Sequence, residues 1–135
     1  MNRRTFLAST AAVSLLPLGL QAAEPTFYTP GLAEAAMDEG KIVLLDFWAS
    51  WCSTCAAQER VLAALKAENP AYEQTIAFYK VDWDLYAKDT LAKDLQIPRR
   101  STLVALKGRK ELGRIVAGTS KEDIKALLDT ALAAV

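Results

Sequence analysis

Two cysteines, Cys52 and Cys55, stand with only Ser53 and Thr54 between them, and the chain has no other cysteine and no histidine. A pair so spaced at the first turn of a helix can close a small disulfide. Its first sulfur then faces backbone N–H groups that lack intrahelical partners, at the positive end of the helix dipole. Both effects favour thiolate over thiol, and the thiolate is the reactive form. Zinc ribbons use the same spacing, but their tetrahedral sites need a second ligand pair. With this composition a protein-only zinc site within one chain is nearly excluded. Asp46 also draws notice, because it interrupts the apolar run Leu44-Leu45-Asp46-Phe47-Trp48, where an unpaired carboxylate is costly to bury. The alternative is an exposed acid at a strand end.

The elements that must position these residues show in the periodicity. Ile42-Val43-Leu44-Leu45 leads into the motif as a buried strand, and Val61, Leu62 and Leu65 repeat behind it at helical spacing. The cysteines therefore sit at a strand-to-helix junction. Upstream, Thr29-Pro30 followed by Leu32, Ala33, Ala36 and Met37 predicts a short helix with Thr29 as N-cap, Pro30 at its first position and Gly40 as its stop. Beyond Asn69-Pro70, residues 76–82 predict a second strand, which a right-handed crossover makes parallel to the first. Leu85 to Leu95 predicts another helix, ended by Pro98. Thr102 to Leu106 and Leu112 to Ala117, around the Lys107-Gly108-Arg109-Lys110 turn, predict an antiparallel hairpin. The last helix starts at Ser120, with Asp123 three residues on in a capping-box pattern and Ile124, Leu127, Leu128, Ala131 and Leu132 as its buried stripe.

Asp46-Phe47-Trp48-Ala49 followed by Trp51-Cys52-Ser53-Thr54-Cys55 resembles the active-site segment of the thioredoxin family, and the order of elements extends the likeness over most of the chain. The resemblance implies an α/β, thioredoxin-like fold with a central mixed β-sheet flanked by helices. It implies a protein-disulfide oxidoreductase that uses no organic cofactor beyond a redox-active Cys52–Cys55 disulfide and acts on protein thiols or disulfides. Cys52 would be the attacking thiol, forming a mixed disulfide with substrate, and Cys55 the resolving thiol. Asp46 matches the family's buried acid, thought to help Cys55 exchange its proton, and Lys80 matches the lysine that pairs with that acid. Trp51 and Gly118 match the rim that meets a partner, although a plain strand-to-helix turn also accounts for Gly118. Glu59, four residues after Cys55, resembles a glutamate of the thioredoxin-like domains in membrane-spanning reductant conduits. A solvated helix face accounts for it equally.

The chain also departs from the family. Thioredoxins carry a cis-proline before the third core strand, packed against the cysteines. Counting back from Thr102-Leu103 and the hairpin turn puts Ser101 there, whereas Pro98 would need three extra residues before the strand. A cis bond without proline costs ~3 kcal/mol, so the Arg100–Ser101 bond is expected to be trans or strained. The backbone of this loop ordinarily pairs with substrate, which makes Arg100 and Ser101 substrate-binding candidates. A serine also leaves room for a metal beside the thiols. Arg99 and Arg100 stand where the family has small and apolar residues, so thiolate stabilisation, attraction of an acidic partner and plain solvation all remain open. Arg60 replaces a family proline and predicts a straighter helix.

At 135 residues, 52 % hydrophobic and 24 % charged, the chain predicts one domain with a single core. Its net charge is zero, and losing Arg3 and Arg4 with a leader makes it weakly acidic, so nothing suggests nucleic acid. Arg3-Arg4, the apolar stretch to Leu20 and the exit Gln21-Ala22-Ala23 form the three regions of an export signal. The paired arginines before Phe6-Leu7 resemble a twin-arginine signal, with an ordinary secretory leader as the alternative. Residues 1–23 are thus the expected leader and 24–135 the expected domain, periplasmic or otherwise exported. Phe6 to Leu20 is broken by Pro17 and falls short of the ~20 residues that a membrane span needs, which leaves an uncleaved anchor as the weaker reading.

The expected function is an exported thiol–disulfide oxidoreductase, monomeric and resupplied by a membrane-embedded electron donor. Ser53-Thr54 lacks the histidine of strongly oxidising exported relatives, which points to a reductase or isomerase-like role. The rival class is a copper-handling protein whose two thiolates capture a soft ion such as Cu(I). It gains from Ser101 and loses from having only Met37 outside the leader. A non-catalytic interaction module that retains the disulfide is the third.

Overall fold

The computed structural model describes residues 25–135. The leader expected over residues 1–23, with its cleavage site, lies outside them. In chain order the elements are β1 (Thr26–Phe27), α1 (Leu32–Asp38), β2 (Ile42–Trp48), α2 (Ser53–Glu68), α3 (Ala71–Thr75), β3 (Ala77–Asp82), α4 (Trp83–Tyr86), α5 (Thr90–Asp94), β4 (Thr102–Lys107), β5 (Lys110–Val116) and α6 (Lys121–Ala133). The strands form one sheet in the order β1-β3-β2-β4-β5. β1 and β2 both run parallel to β3, while β4 is antiparallel to its neighbours β2 and β5. This is the mixed sheet with flanking helices that the resemblance implied.

Side-chain alternation along β2 divides the core between the two sheet faces. Val43, Leu45 and Phe47 join Ala33, Met37, Val81 and Val104 on one side. Ile42 and Leu44 join Leu62, Leu65, Leu103, Ile124 and Leu128 on the other, beneath α2 and α6. Asp46 has the parity of Ile42 and Leu44, so its carboxyl belongs to the α2 side. Both faces of β2 are covered, which is why residues 42–47 read as a nearly unbroken apolar run.

Two expected helix boundaries differ. α1 starts at Leu32 with Gly31 as N-cap, not at Thr29-Pro30. Thr29 O accepts from Leu32 N at 3.0 Å, and Gly31 has φ 91°, so Pro30 and Gly31 form the centre of a type II turn that precedes the helix. The single helix expected over residues 85–95 is two, α4 and α5. Asp82 starts the first by accepting Asp84 N at 2.9 Å, and Asp89 has the extended backbone that opens the second. Two short elements, β1 and α3, were not anticipated. α2 runs unbroken through Arg60. Among the described residues no helix is long and apolar enough to cross a membrane.

Candidate active site

β2 delivers the chain to the cysteines through a tight turn in which Cys52 N donates to Ala49 O at 3.2 Å. Cys52 is then the N-cap of α2, with extended backbone, and its Sγ accepts the Cys55 N–H at 3.1 Å. A sulfur thus fills the place that a serine or aspartate oxygen usually takes, satisfying an otherwise unpaired helix donor. The first turn of α2 holds no acidic residue to oppose a negative charge there. Cys52 and Cys55 form a disulfide with Cα atoms 5.3 Å apart. Cys52 keeps 5 % exposure and Cys55 none, so an incoming sulfur meets Cys52 first.

Ser101 occupies the position facing the disulfide, whereas Pro98 is exposed. Its Oγ lies 3.1 Å from each sulfur. The described residues contain no cis peptide bond, so Arg100–Ser101 is trans, but Ser101 has φ 62°, a left-handed conformation costly for any residue except glycine. Three hydrogen bonds hold it there. Ser101 N donates to Phe47 O at 2.7 Å, and its carbonyl accepts from Ala117 N at 2.8 Å and Gln58 Nε2 at 2.9 Å.

Gln58 was not anticipated as a site residue. It is fully buried, and its Nε2 also donates to Gly118 O at 3.0 Å, tying α2 to the loops on both sides of the β4–β5 hairpin. The signal was its spacing: three residues after Cys55 and four before Leu62, it lies on the buried stripe of α2.

Asp46 and Lys80 are Cα partners across β2 and β3, but the Lys80 ammonium makes its ion pair with Glu59 instead. This departs from the pairing that the resemblance implied. The reason is geometric: both strand residues face α2, and Glu59 descends from α2 onto the lysine. Asp46 Oδ1 is buried with no hydrogen-bond partner. Burial pushes the Asp46 carboxyl up to about 7; Lys80 opposes the shift and Glu59 reinforces it. Lys66, also largely buried, is held below its ordinary value by desolvation and sits 3.8 Å from Glu73.

At the rim, Trp51 is 60 % exposed and its indole N–H reaches both Asp84 oxygens, at 2.9 and 3.1 Å. The Arg100 guanidinium lies 4.5 Å from the centroid of the Trp51 ring. Its Nε is buried without a hydrogen-bond partner, and Arg99 Nε donates to Arg100 O at 3.0 Å. At Gly118 an added Cβ would meet Ile115 Cγ2 at 2.8 Å, so the chain's own packing already requires glycine there. No group of three or more His, Cys, Asp or Glu residues able to hold a metal occurs among the described residues.

A family model described as Thioredoxin matches residues 29–130. An H-type thioredoxin from Brassica campestris is 35 % identical over 95 residues, covering 70 % of this chain and 72 % of that protein. A thioredoxin from Mycolicibacterium smegmatis is 33 % identical over 96 residues, covering 71 % and 83 %. Among solved structures, Trxlp from Edwardsiella tarda EIB202 superposes with a TM-score of 0.67 at 28 % identity, covering 78 % of this chain and 98 % of its own. Taken with a disulfide capping the helix that follows the central strand, these matches show that the chain belongs to the thioredoxin family and is a thioredoxin-type thiol–disulfide oxidoreductase of protein substrates.

Proposed function

We propose that this chain is an exported member of the family that reduces or isomerises disulfides of protein substrates, working as a monomer and resupplied by a membrane-embedded electron donor. The observation that carries the chemistry is Cys52 Sγ at the head of α2, accepting the Cys55 N–H while bonded to Cys55. Export is supported by the charged, apolar and small-residue regions of residues 1–23. The reductive or isomerase-like direction is supported by Ser53-Thr54, because a histidine between the cysteines would favour the reduced thiolate and so increase oxidising power.

Two experiments test this. Residues 1–23 fused to a folded reporter should carry it out of the cytoplasm, and changing Arg3 and Arg4 to lysine should retain it. A reporter that stays inside with the native leader contradicts export. The mature domain should reduce insulin with dithiothreitol and reshuffle a scrambled disulfide protein, and Cys52→Ser should abolish both. Net oxidation of a reduced substrate, with no reduction or reshuffling, contradicts the direction.

A further inference from the structure

We infer that Ser101 is a catalytic residue whose hydroxyl donates a hydrogen bond to whichever active-site sulfur carries negative charge. The inference rests on the disulfide-exchange reading and adds a role to one of its residues. Ser101 Oγ lies 3.1 Å from Cys52 Sγ and 3.1 Å from Cys55 Sγ. Ser101 is 0 % exposed, so bulk water does not compete for the hydroxyl. Among the described residues, the two sulfurs are its hydrogen-bond partners. In the disulfide neither sulfur carries a proton, so the hydroxyl is the donor and the sulfurs are weak acceptors. Reduction gives the same O–H a thiolate to face, and a hydrogen bond to an ion is roughly twice as strong as a neutral one. The hydroxyl therefore stabilises the reduced, charged state more than the disulfide.

The backbone explains why the oxygen stays between the sulfurs. At φ 62° glycine would sit without strain, yet the chain places a serine there and fixes it through Phe47 O, Ala117 N and Gln58 Nε2. The bond from Gln58 comes from the helix that bears both cysteines, so donor and sulfurs share one frame.

In the reductive direction the Cys52 thiolate attacks one sulfur of a substrate disulfide. The Cys52–substrate bond forms, the substrate S–S bond breaks, and the released sulfur leaves as a thiolate. Cys55 then loses its proton and attacks Cys52 Sγ, expelling the second substrate sulfur as the Cys52–Cys55 bond closes. Two electrons and, net, two protons pass from the dithiol to the substrate. Ser101 holds the Cys52 thiolate in the first step and turns to Cys55 as its proton departs in the second. In the reverse direction it supports Cys55 as the leaving thiolate. One donor equidistant from both sulfurs serves each step. It also partly replaces the missing histidine between the cysteines, which moves the poise from a strong reductant toward an isomerase.

Ser101→Ala deletes the hydroxyl while keeping a side chain of similar backbone preference, and Ser101→Gly, which suits the observed φ, covers the case of an alanine variant that does not fold. Two readouts separate chemistry from mere support of the loop: the pH dependence of Cys52 alkylation in the reduced protein, and the equilibrium with glutathione. Loss of the hydroxyl should raise the alkylation midpoint by about one pH unit, the size expected for a hydrogen bond to a charged group. At a pH above both midpoints it should also shift the glutathione equilibrium about tenfold toward the protein disulfide, which is about 30 mV more reducing. An unchanged midpoint and equilibrium in a folded variant overturn the role of Ser101 alone, provided that the wild-type protein reduces insulin. A wild-type protein that fails to reduce insulin overturns the disulfide-exchange reading as well.

Discussion

Asp46 and Lys80 lie opposite one another across β2 and β3, yet the lysine's ion pair runs to Glu59 on α2. Two carboxylates therefore compete for one ammonium beneath the helix that bears the cysteines. Glu59 holds the lysine with its side chain about half exposed, while buried Asp46 has an unpartnered oxygen and a carboxyl pushed up to about 7. An acid that changes charge near neutrality on the strand leading to the disulfide is suited to proton exchange with a thiol.

The same shift makes stability depend on pH. The folded protein holds the Asp46 proton more tightly than the unfolded chain, whose carboxyl has the ordinary value of 3.8. The stability from this group is full below that value and is lost as pH rises through about 7. Asp46→Asn removes the loss. Urea unfolding at ~pH 8 should find the variant more stable by up to about 4 kcal/mol, with the gain disappearing near ~pH 4. A gain of equal size at both pH values would count against a buried, titrating Asp46.

Glu59→Gln tests the competition for Lys80. Neutralising Glu59 removes a charge that raises the Asp46 pKa and leaves Lys80, which lowers it, without its present partner. An NMR titration of the Asp46 carboxyl should show a midpoint lower by about one unit. A midpoint that stays put would mean that Glu59 and Asp46 are not coupled, and one that rises would contradict the competition for Lys80.

Gln58→Leu keeps an α2 side chain of similar bulk but removes both donors that tie α2 to Ser101 and Gly118. Ser101 O retains the Ala117 N–H, so the main loss falls on Gly118 O. Denaturant unfolding should show a cost of about 1–3 kcal/mol. A variant as stable as wild type would reduce Gln58 to filler.

Trp51 and Arg100 form a shelf beside Cys52. Trp51 is exposed, so Trp51→Ala should change stability by no more than about 0.5 kcal/mol. It should raise KM for a protein disulfide several-fold while leaving turnover of a small disulfide unchanged. Equal losses on both substrates would place Trp51 in the chemistry instead of in docking.

The sheet and the cysteine helix were legible because their signals are periodic. Apolar runs bounded by turn residues marked β2, β3, β4 and β5, and Ser120 marked the start of α6, where its Oγ accepts Asp123 N at 3.3 Å. β1 is two residues long and carries no period, so only its pairing with β3 reveals it. Thr29-Pro30 has the chemistry of a helix start, but Pro30 followed directly by Gly31 is the centre of a type II turn instead. At the site, spacing located Cys52 and Cys55, the break in an apolar strand located Asp46, and the family resemblance located Ser101; the resemblance also implied Asp46 as the partner of Lys80, where the structure has Glu59. That choice depends on where α2 crosses the sheet. Gln58 is not legible in the sequence, because a polar residue on a helix reads as solvated until its stripe is matched to the core.

The most direct measurement is the alkylation rate of each cysteine in the reduced chain as a function of pH, resolved by mass spectrometry. If the head of α2 and Ser101 hold a sulfur anion at position 52, Cys52 reacts first, with a midpoint well below the free-cysteine value of about 8.5, while Cys55 lags. A Cys52 midpoint at or above that value, or faster reaction at Cys55, would contradict the account.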